Sequence, residues 1–158
     1  MTLAFRGLAT ALACLAGAMA ALSAVAADSG ATAADSLYTR LGGEPGVAVI
    51  SASLIDRVAS DPILGRSFKD ANLNRIKKLL AEQICDISGG PCHYSGDSMK
   101  EVHAGHRISE AEFYGMVEAL RDILKQRHVD LEARNELLRL LAPMKRDVVE
   151  SARTEARR

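Results

Sequence analysis

Met99-Lys100-Glu101-Val102-His103-Ala104-Gly105 is the stretch on which the reading of this chain turns. In a helix, Met99 and His103 stand four residues apart with Val102 between them in angle, so an imidazole sits in an apolar stripe with a glycine just beyond it. A helix presents one nitrogen ligand to a hydrophobic cofactor in this way. The residues alone leave a second reading open, in which His103 is an ordinary core or surface histidine.

Downstream, Ser109-Glu110-Ala111-Glu112 has the form of a capping box. Phe113, Met116, Val117, Leu120 and Leu124 then repeat at helical spacing, predicting a helix over Ser109–Arg127. His128-Val129-Asp130 interrupts the pattern. A last helix carries Leu137, Leu138, Leu141, Met144 and Val148, with Pro143 forcing a kink or a restart.

Upstream, a loop from Pro91 to Asp97 follows Gly89-Gly90-Pro91, which ends a helix begun at the cap Asn72 and running to about Ser88. With Ile76 as zero and about 100° per residue, Leu79, Leu80, Gln83, Ile84 and Ile87 fall within about 80° of it. Gln83 is thus an amide near the middle of an apolar face. Left without partners it costs about 1–3 kcal/mol, so either a structural bond to backbone holds it or it faces a polar ligand.

Before that helix, a turn from Pro62 to Ser67 delivers Phe68, one of three phenylalanines. Pro45 suits the first position of an earlier helix, whose Val47, Ile50, Leu54 and Val58 share one face, flanked by Ile55; Asp61-Pro62 closes it. Ser36 can cap a short turn at Leu37-Tyr38 that ends in Gly42-Gly43. No alternating stretch of strand length occurs, which makes the protein all-α with four principal helices.

The chain has 158 residues and is 48% apolar, enough for one domain with a real core. Residues 1–27 stand apart. Arg6 precedes an alanine-rich apolar run ending in Ala24-Val25-Ala26, the pattern of a cleaved signal peptide, with a retained anchor as the alternative. Residues 28–36 form a small, polar lead-in, 37–150 the domain, and 151–158 a charged tail. Removing Arg6 with the signal leaves 19 basic against 20 acidic residues, a charge near −1. That balance argues against nucleic acid as a partner, and no basic amphipathic helix marks a membrane surface once the signal is gone. The expected location is outside the cytoplasm, in a periplasm. Cys85 and Cys92 could pair there across the Gly-Gly turn, or remain two separate thiols.

Leu41-Gly42-Gly43, Gly89-Gly90-Pro91, Tyr94-x-Gly96, Val102-His103-x-Gly105 and Ala142-Pro143 occur in that order. In this combination the chain from Leu37 to about Val149 resembles a group 1 truncated haemoglobin. The resemblance implies a truncated globin fold, a two-over-two helical sandwich around one haem b (iron protoporphyrin IX), in which Pro45–Ser60 pairs with Leu73–Ser88 and Ser109–Arg127 with the last helix. It implies His103 as the proximal iron ligand, its second nitrogen oriented by a backbone carbonyl or side chain. Phe68 matches the family's phenylalanine that lies flat on the porphyrin. The other expected haem contacts are Leu54, Ile76, Leu79, Leu80, Ile84, Met99, Ile108, Phe113 and Val117.

The chain departs from the family's best-known pattern on the gas side. Where many members carry a tyrosine and glutamines, it has Ile55, Ile76 and Leu80, and Leu79 stands where some carry a second histidine. The expected distal pocket is Ile55, Ile76, Leu80 and Gln83, mostly apolar, around a five-coordinate iron. A donor beside bound dioxygen is worth roughly 1.5–3 kcal/mol. Without one, fast oxygen release and poor discrimination against carbon monoxide follow. The favoured function is reversible binding of oxygen or another diatomic gas (CO, NO). A nitric oxide dioxygenase and a haem redox or sensing protein are the alternatives, and turnover would require a separate reductase as partner. His93, His106 and His128 are expected in solvent, with His106 or Arg107 near a haem propionate.

Overall fold

The computed structural model describes residues 36–150. The expected signal peptide, nearly all of the lead-in and the charged tail lie outside the described residues. Within them the order is α1 (Leu37–Arg40), α2 (Gly43–Ser60), a 3-10 turn Leu64–Phe68, α3 (Leu73–Ile87), α4 (Met99–His103), α5 (Glu110–Gln126), α6 (Leu131–Leu141), a 3-10 turn Ala142–Met144 and α7 (Lys145–Val148). Every described element is helical, as expected.

The caps fall where the sequence puts them. Asn72 Oδ1 accepts from Arg75 N at 3.0 Å at the start of α3, and Ser36 Oγ accepts from Thr39 N at 3.3 Å at the start of α1. Asp61 closes α2, its carboxylate accepting from the amides of Ile63 and Leu64 at 2.8 and 2.9 Å. Those two amides hold its carboxyl below the usual carboxylate range. α2 begins at Gly43, two residues ahead of Pro45, because Gly42 and Gly43 take φ of 95° and 62° and turn the chain directly out of α1. Pro143 produces the restart: α6 ends, one 3-10 turn follows, and α7 resumes.

α2 is the central element. Val47, Ile50, Leu54, Ile55 and Val58 are all sealed, and they span an arc of about 140° of the helix. So broad an apolar arc needs two partners, and α2 packs against both α3 and α5. Ile84 and Cys85 of α3, Leu120, Ile123 and Leu124 of α5, and Ala133 and Leu137 of α6 complete the core. The expected pairing of α2 with α3 is present. The α5 helix, expected to pair with the last helix, packs more extensively on α2. Arg40 ties α1 to the start of α6, reaching Asp130, Glu136 and Glu132 at 2.9, 3.2 and 3.5 Å. No helix of the described residues is long and apolar enough to cross a membrane.

Candidate functional site

Five residues are too few to hold a helix by themselves, so α4 depends on what grips its two ends. Its own start is closed by a capping box: Ser98 Oγ accepts from Glu101 N at 3.3 Å, while the Glu101 carboxylate accepts from Ser98 N at 3.1 Å. The preceding loop is fastened to α3 in three places. Cys85 and Cys92 form a disulfide with a Cα separation of 5.8 Å, which settles the alternative left open by the sequence. Tyr94 N donates to Asp86 Oδ2 at 3.1 Å, and Ser95 Oγ to Glu82 Oε2 at 2.6 Å. The Ser95 hydroxyl lowers the Glu82 carboxyl below its usual range. Gly90 passes so close to Cys85 and Tyr38 that a Cβ there would collide with both, which is why glycine stands beside the disulfide.

At the other end, Gly105 takes φ 81° and its amide donates to Glu150 Oε1 at 2.5 Å, while Glu150 N returns a bond to Ile108 O at 3.0 Å. Arg66, from the 3-10 turn that carries Phe68, donates to the carbonyls of His106 and Arg107 at 2.9 and 2.7 Å. The same guanidinium grips Glu112 at 2.5 and 2.9 Å. Glu112 also accepts from Ser109 N and Oγ at 2.8 and 2.6 Å, completing the expected capping box of α5. Arg66 first, then Ser109, draws the Glu112 carboxyl down to about 2.

Between these anchors, His103 is half-buried, and its Nδ1 lies 2.7 Å from Met99 O. A proton on Nδ1 satisfies that carbonyl and leaves the Nε2 lone pair free to ligate a metal. Met99 is half-buried beside it, but Val102 is 37% exposed and faces away, so the apolar stripe expected through Val102 reduces to Met99 and His103. The reason is the shortness of α4, which presents only one turn inward.

The other expected apolar site residues divide into three groups. Leu54, Ile55 and Ile84 are 2%, 1% and 0% exposed and belong to the sealed core. Phe68, Ile76 and Leu80 are half-buried and lean against that core. Leu79, Met99, Ile108, Phe113 and Val117 are also half-buried but lie outside the core cluster. Gln83 is buried, and its Nε2 approaches Met99 Sδ at 3.3 Å and Met144 Sδ at 3.5 Å. The amide anticipated on a backbone group or a polar ligand is thus engaged by two thioethers, joining α3 to α4 and to the turn before α7. His93, His106 and His128 are exposed, as expected; His106 contributes a backbone carbonyl to Arg66. Arg66, Glu150 and Met144 were not legible as parts of this region. Only Glu112 carried a signal, through its capping box.

One imidazole on a half-buried face, with its second nitrogen committed to backbone and apolar side chains around it, is a donor set suited to a haem iron. A family model described as bacterial-like globin matches residues 36–150. The group 1 truncated hemoglobin of Mycolicibacterium paratuberculosis is 34% identical over 109 residues, covering 69% of this chain and 80% of the relative. That of Nostoc commune is 27% identical over 97 residues, covering 61% and 82%. Among solved structures, the truncated hemoglobin of Tetrahymena pyriformis in its Fe(III) form superposes with a TM-score of 0.69 at 25% identity, over 73% of this chain and 99% of that one. The 2/2 hemoglobin of Synechococcus, crystallised with covalently attached heme, gives 0.67 at 22% identity over 72% and 98%, a likeness of fold. The chain belongs to the bacterial-like globin family. Within it, the fold is that of the truncated haemoglobins, and the activity that goes with it is haem-based binding of diatomic gases.

Proposed function

We propose that the chain holds one haem b through His103 Nε2, keeps the ferrous iron five-coordinate, and binds oxygen or another diatomic gas reversibly on a mostly apolar distal side. The observation that carries this reading is the 2.7 Å contact between His103 Nδ1 and Met99 O, which selects the ligating tautomer. The haem, when bound, supplies an iron that takes up the gas; the protein supplies its attachment, its orientation and its dry surroundings. Phe68, Leu79, Leu80, Met99, Phe113 and Val117 are the half-buried apolar side chains that would cover the macrocycle. On the gas side Ile76 and Leu80 carry no hydrogen-bond donor, Ile55 behind them is sealed in the core, and the Gln83 amide is already turned to Met99 and Met144. Fast oxygen release and weak preference for oxygen over carbon monoxide follow from that composition.

The same composition favours gas binding over nitric oxide dioxygenation, which would also need a separate reductase as electron donor. Export to a periplasm is supported by the signal-like composition of residues 1–27 and by the Cys85–Cys92 disulfide, a bond that persists in oxidising compartments. N-terminal sequencing of the mature protein checks the cleavage. Two measurements test the site. Purified protein, or protein given hemin, should show a strong Soret band whose ferrous form is lost in His103→Ala; a protein that refuses hemin removes the reading. Leu80→Gln should slow oxygen release about ten- to hundredfold by adding a donor, and an unchanged rate would mean the distal side is assigned to the wrong residues.

A further inference from the structure

The fork of Arg66 has no counterpart in the haem reading of the sequence, and it reaches the loop that follows His103. Its four donations are divided evenly: two to the Glu112 carboxylate at 2.5 and 2.9 Å, and one each to the consecutive carbonyls of His106 and Arg107 at 2.9 and 2.7 Å. A planar guanidinium can make this pattern, whereas an ammonium cannot. The loop so gripped is short. His106 N bonds back to His103 O at 3.2 Å, so the segment held by Arg66 is hydrogen-bonded to the ligand residue itself. Arg107, a non-glycine residue, is kept at φ 52°, a left-handed conformation that persists only where surrounding contacts fix it. The carbonyl of that residue is one of the two that Arg66 holds.

We propose that Arg66 is a positioning residue for His103: with Glu112 it clamps residues 106–107, setting the tilt of the imidazole, and ties that tilt to the turn that carries Phe68. The inference rests on the assignment of His103 as iron ligand. Arg66 and Phe68 are two residues apart in one 3-10 turn, so the side chain expected against the porphyrin and the loop expected to aim the ligand share one anchor. Glu112 remains ionised well below neutrality, so the clamp is closed throughout the physiological range. Glu150 is the second grip on the same loop, at Gly105 and Ile108. Because of that second grip, loss of Arg66 loosens the loop without releasing it.

The test is the iron–imidazole stretching band of the reduced, unliganded holoprotein by resonance Raman, measured in wild type, Arg66→Lys, Glu112→Gln and a control, Arg57→Lys. Arg57 makes a comparable exposed ion pair with Asp122 at 2.9 Å, joining α2 to α5. The expected result is a band that is lower in frequency and broader in Arg66→Lys and Glu112→Gln, and unchanged in Arg57→Lys. Amide exchange at Gly105 and His106 should quicken in the same two variants. Glu112→Gln preserves the capping box of α5, so it serves if Arg66→Lys folds poorly. A wild-type band with no shift in either variant overturns the positioning role and leaves the ligand assignment standing. Absence of any iron–imidazole band in wild type overturns the ligand assignment, and the positioning role goes with it.

Discussion

The floor of the molecule and the region around His103 are built from the same kinds of side chain, yet they are finished differently. Between α2, α3, α5 and α6 the protein closes on itself: Ile50, Ile84, Leu124 and Leu137 are all 0% exposed. Around α4, Leu79, Met99, Ile108, Phe113 and Val117 are only half-covered and lie outside that core. Helices bring the floor together by their long apolar faces, whereas the His103 region is assembled by bonds at loop ends: a disulfide, a guanidinium fork, two capping boxes and one amide between two sulfurs. The first region stands on burial. The second stands on tethers, and its apolar side chains have surface to spare for a flat, apolar ligand.

His103→Ala should break the comparison most completely. If the half-covered region exists to hold haem, this change abolishes the imidazole-ligated ferrous spectrum while leaving the helical circular dichroism nearly intact, because His103 lies outside the sealed core. A large loss of helix would show instead that His103 is structural. Leu137→Ala, in the floor, should cost about 2–5 kcal/mol in denaturant unfolding through the cavity it leaves. Leu79→Ala, in the half-covered region, should cost only about 1 kcal/mol in the same assay but speed transfer of haem to an acceptor globin. Equal losses in unfolding would erase the distinction between the regions.

Cys92→Ser removes one tether. Cys85 and Cys92 are seven residues apart, a short loop whose closure is worth about 2–3 kcal/mol. Wild type with a thiol reductant should fall to the stability of the variant, and the variant should be indifferent to reductant. A reductant effect that survives in the variant would locate the sensitivity elsewhere.

How much of this could be seen in the sequence follows the same division. The floor was legible because a helix buries residues at a fixed period, so Val47, Ile50, Leu54 and Val58 announce one face, and Asn72 and Ser109 mark where the next helices start. Pro45 points to a helix start because proline fixes φ locally. The chain had already turned at two glycines, a choice of backbone conformation that proline does not report. His103 was legible through its family pattern and its place after Met99. Its supports were not, because Arg66 lies 40 and 41 residues from the carbonyls it holds, and Glu150 lies 45 from Gly105. No local periodicity encodes a bond over that distance. Gln83 marked a real anomaly on an apolar face, but its partners were not legible: Met99 reads as a haem contact beside His103, and Met144 as one apolar position of the last helix.

The smallest expected effect is also the one most specific to the tethered region. Glu112 has its carboxyl lowered from an ordinary 4.5 to about 2 by Arg66 and Ser109. A carboxyl lowered on folding stabilises the protein when the pH is above its unfolded value, and that contribution drains away as the pH falls towards its folded value. Glu112→Gln should therefore be less stable than wild type at neutral pH, by at most a modest amount since the Arg66 side chain is partly in water. The gap should begin to narrow below about pH 4.5 and be small by about pH 2, where wild type too is losing its carboxylate. Leu137→Ala, by contrast, removes only apolar contacts, and its deficit carries no such dependence on Glu112. Measured side by side, a gap for Glu112→Gln that stays constant down to pH 2 would mean that the fork holds its loop through shape and the two carbonyls alone, and the tethered region would owe nothing to that charge.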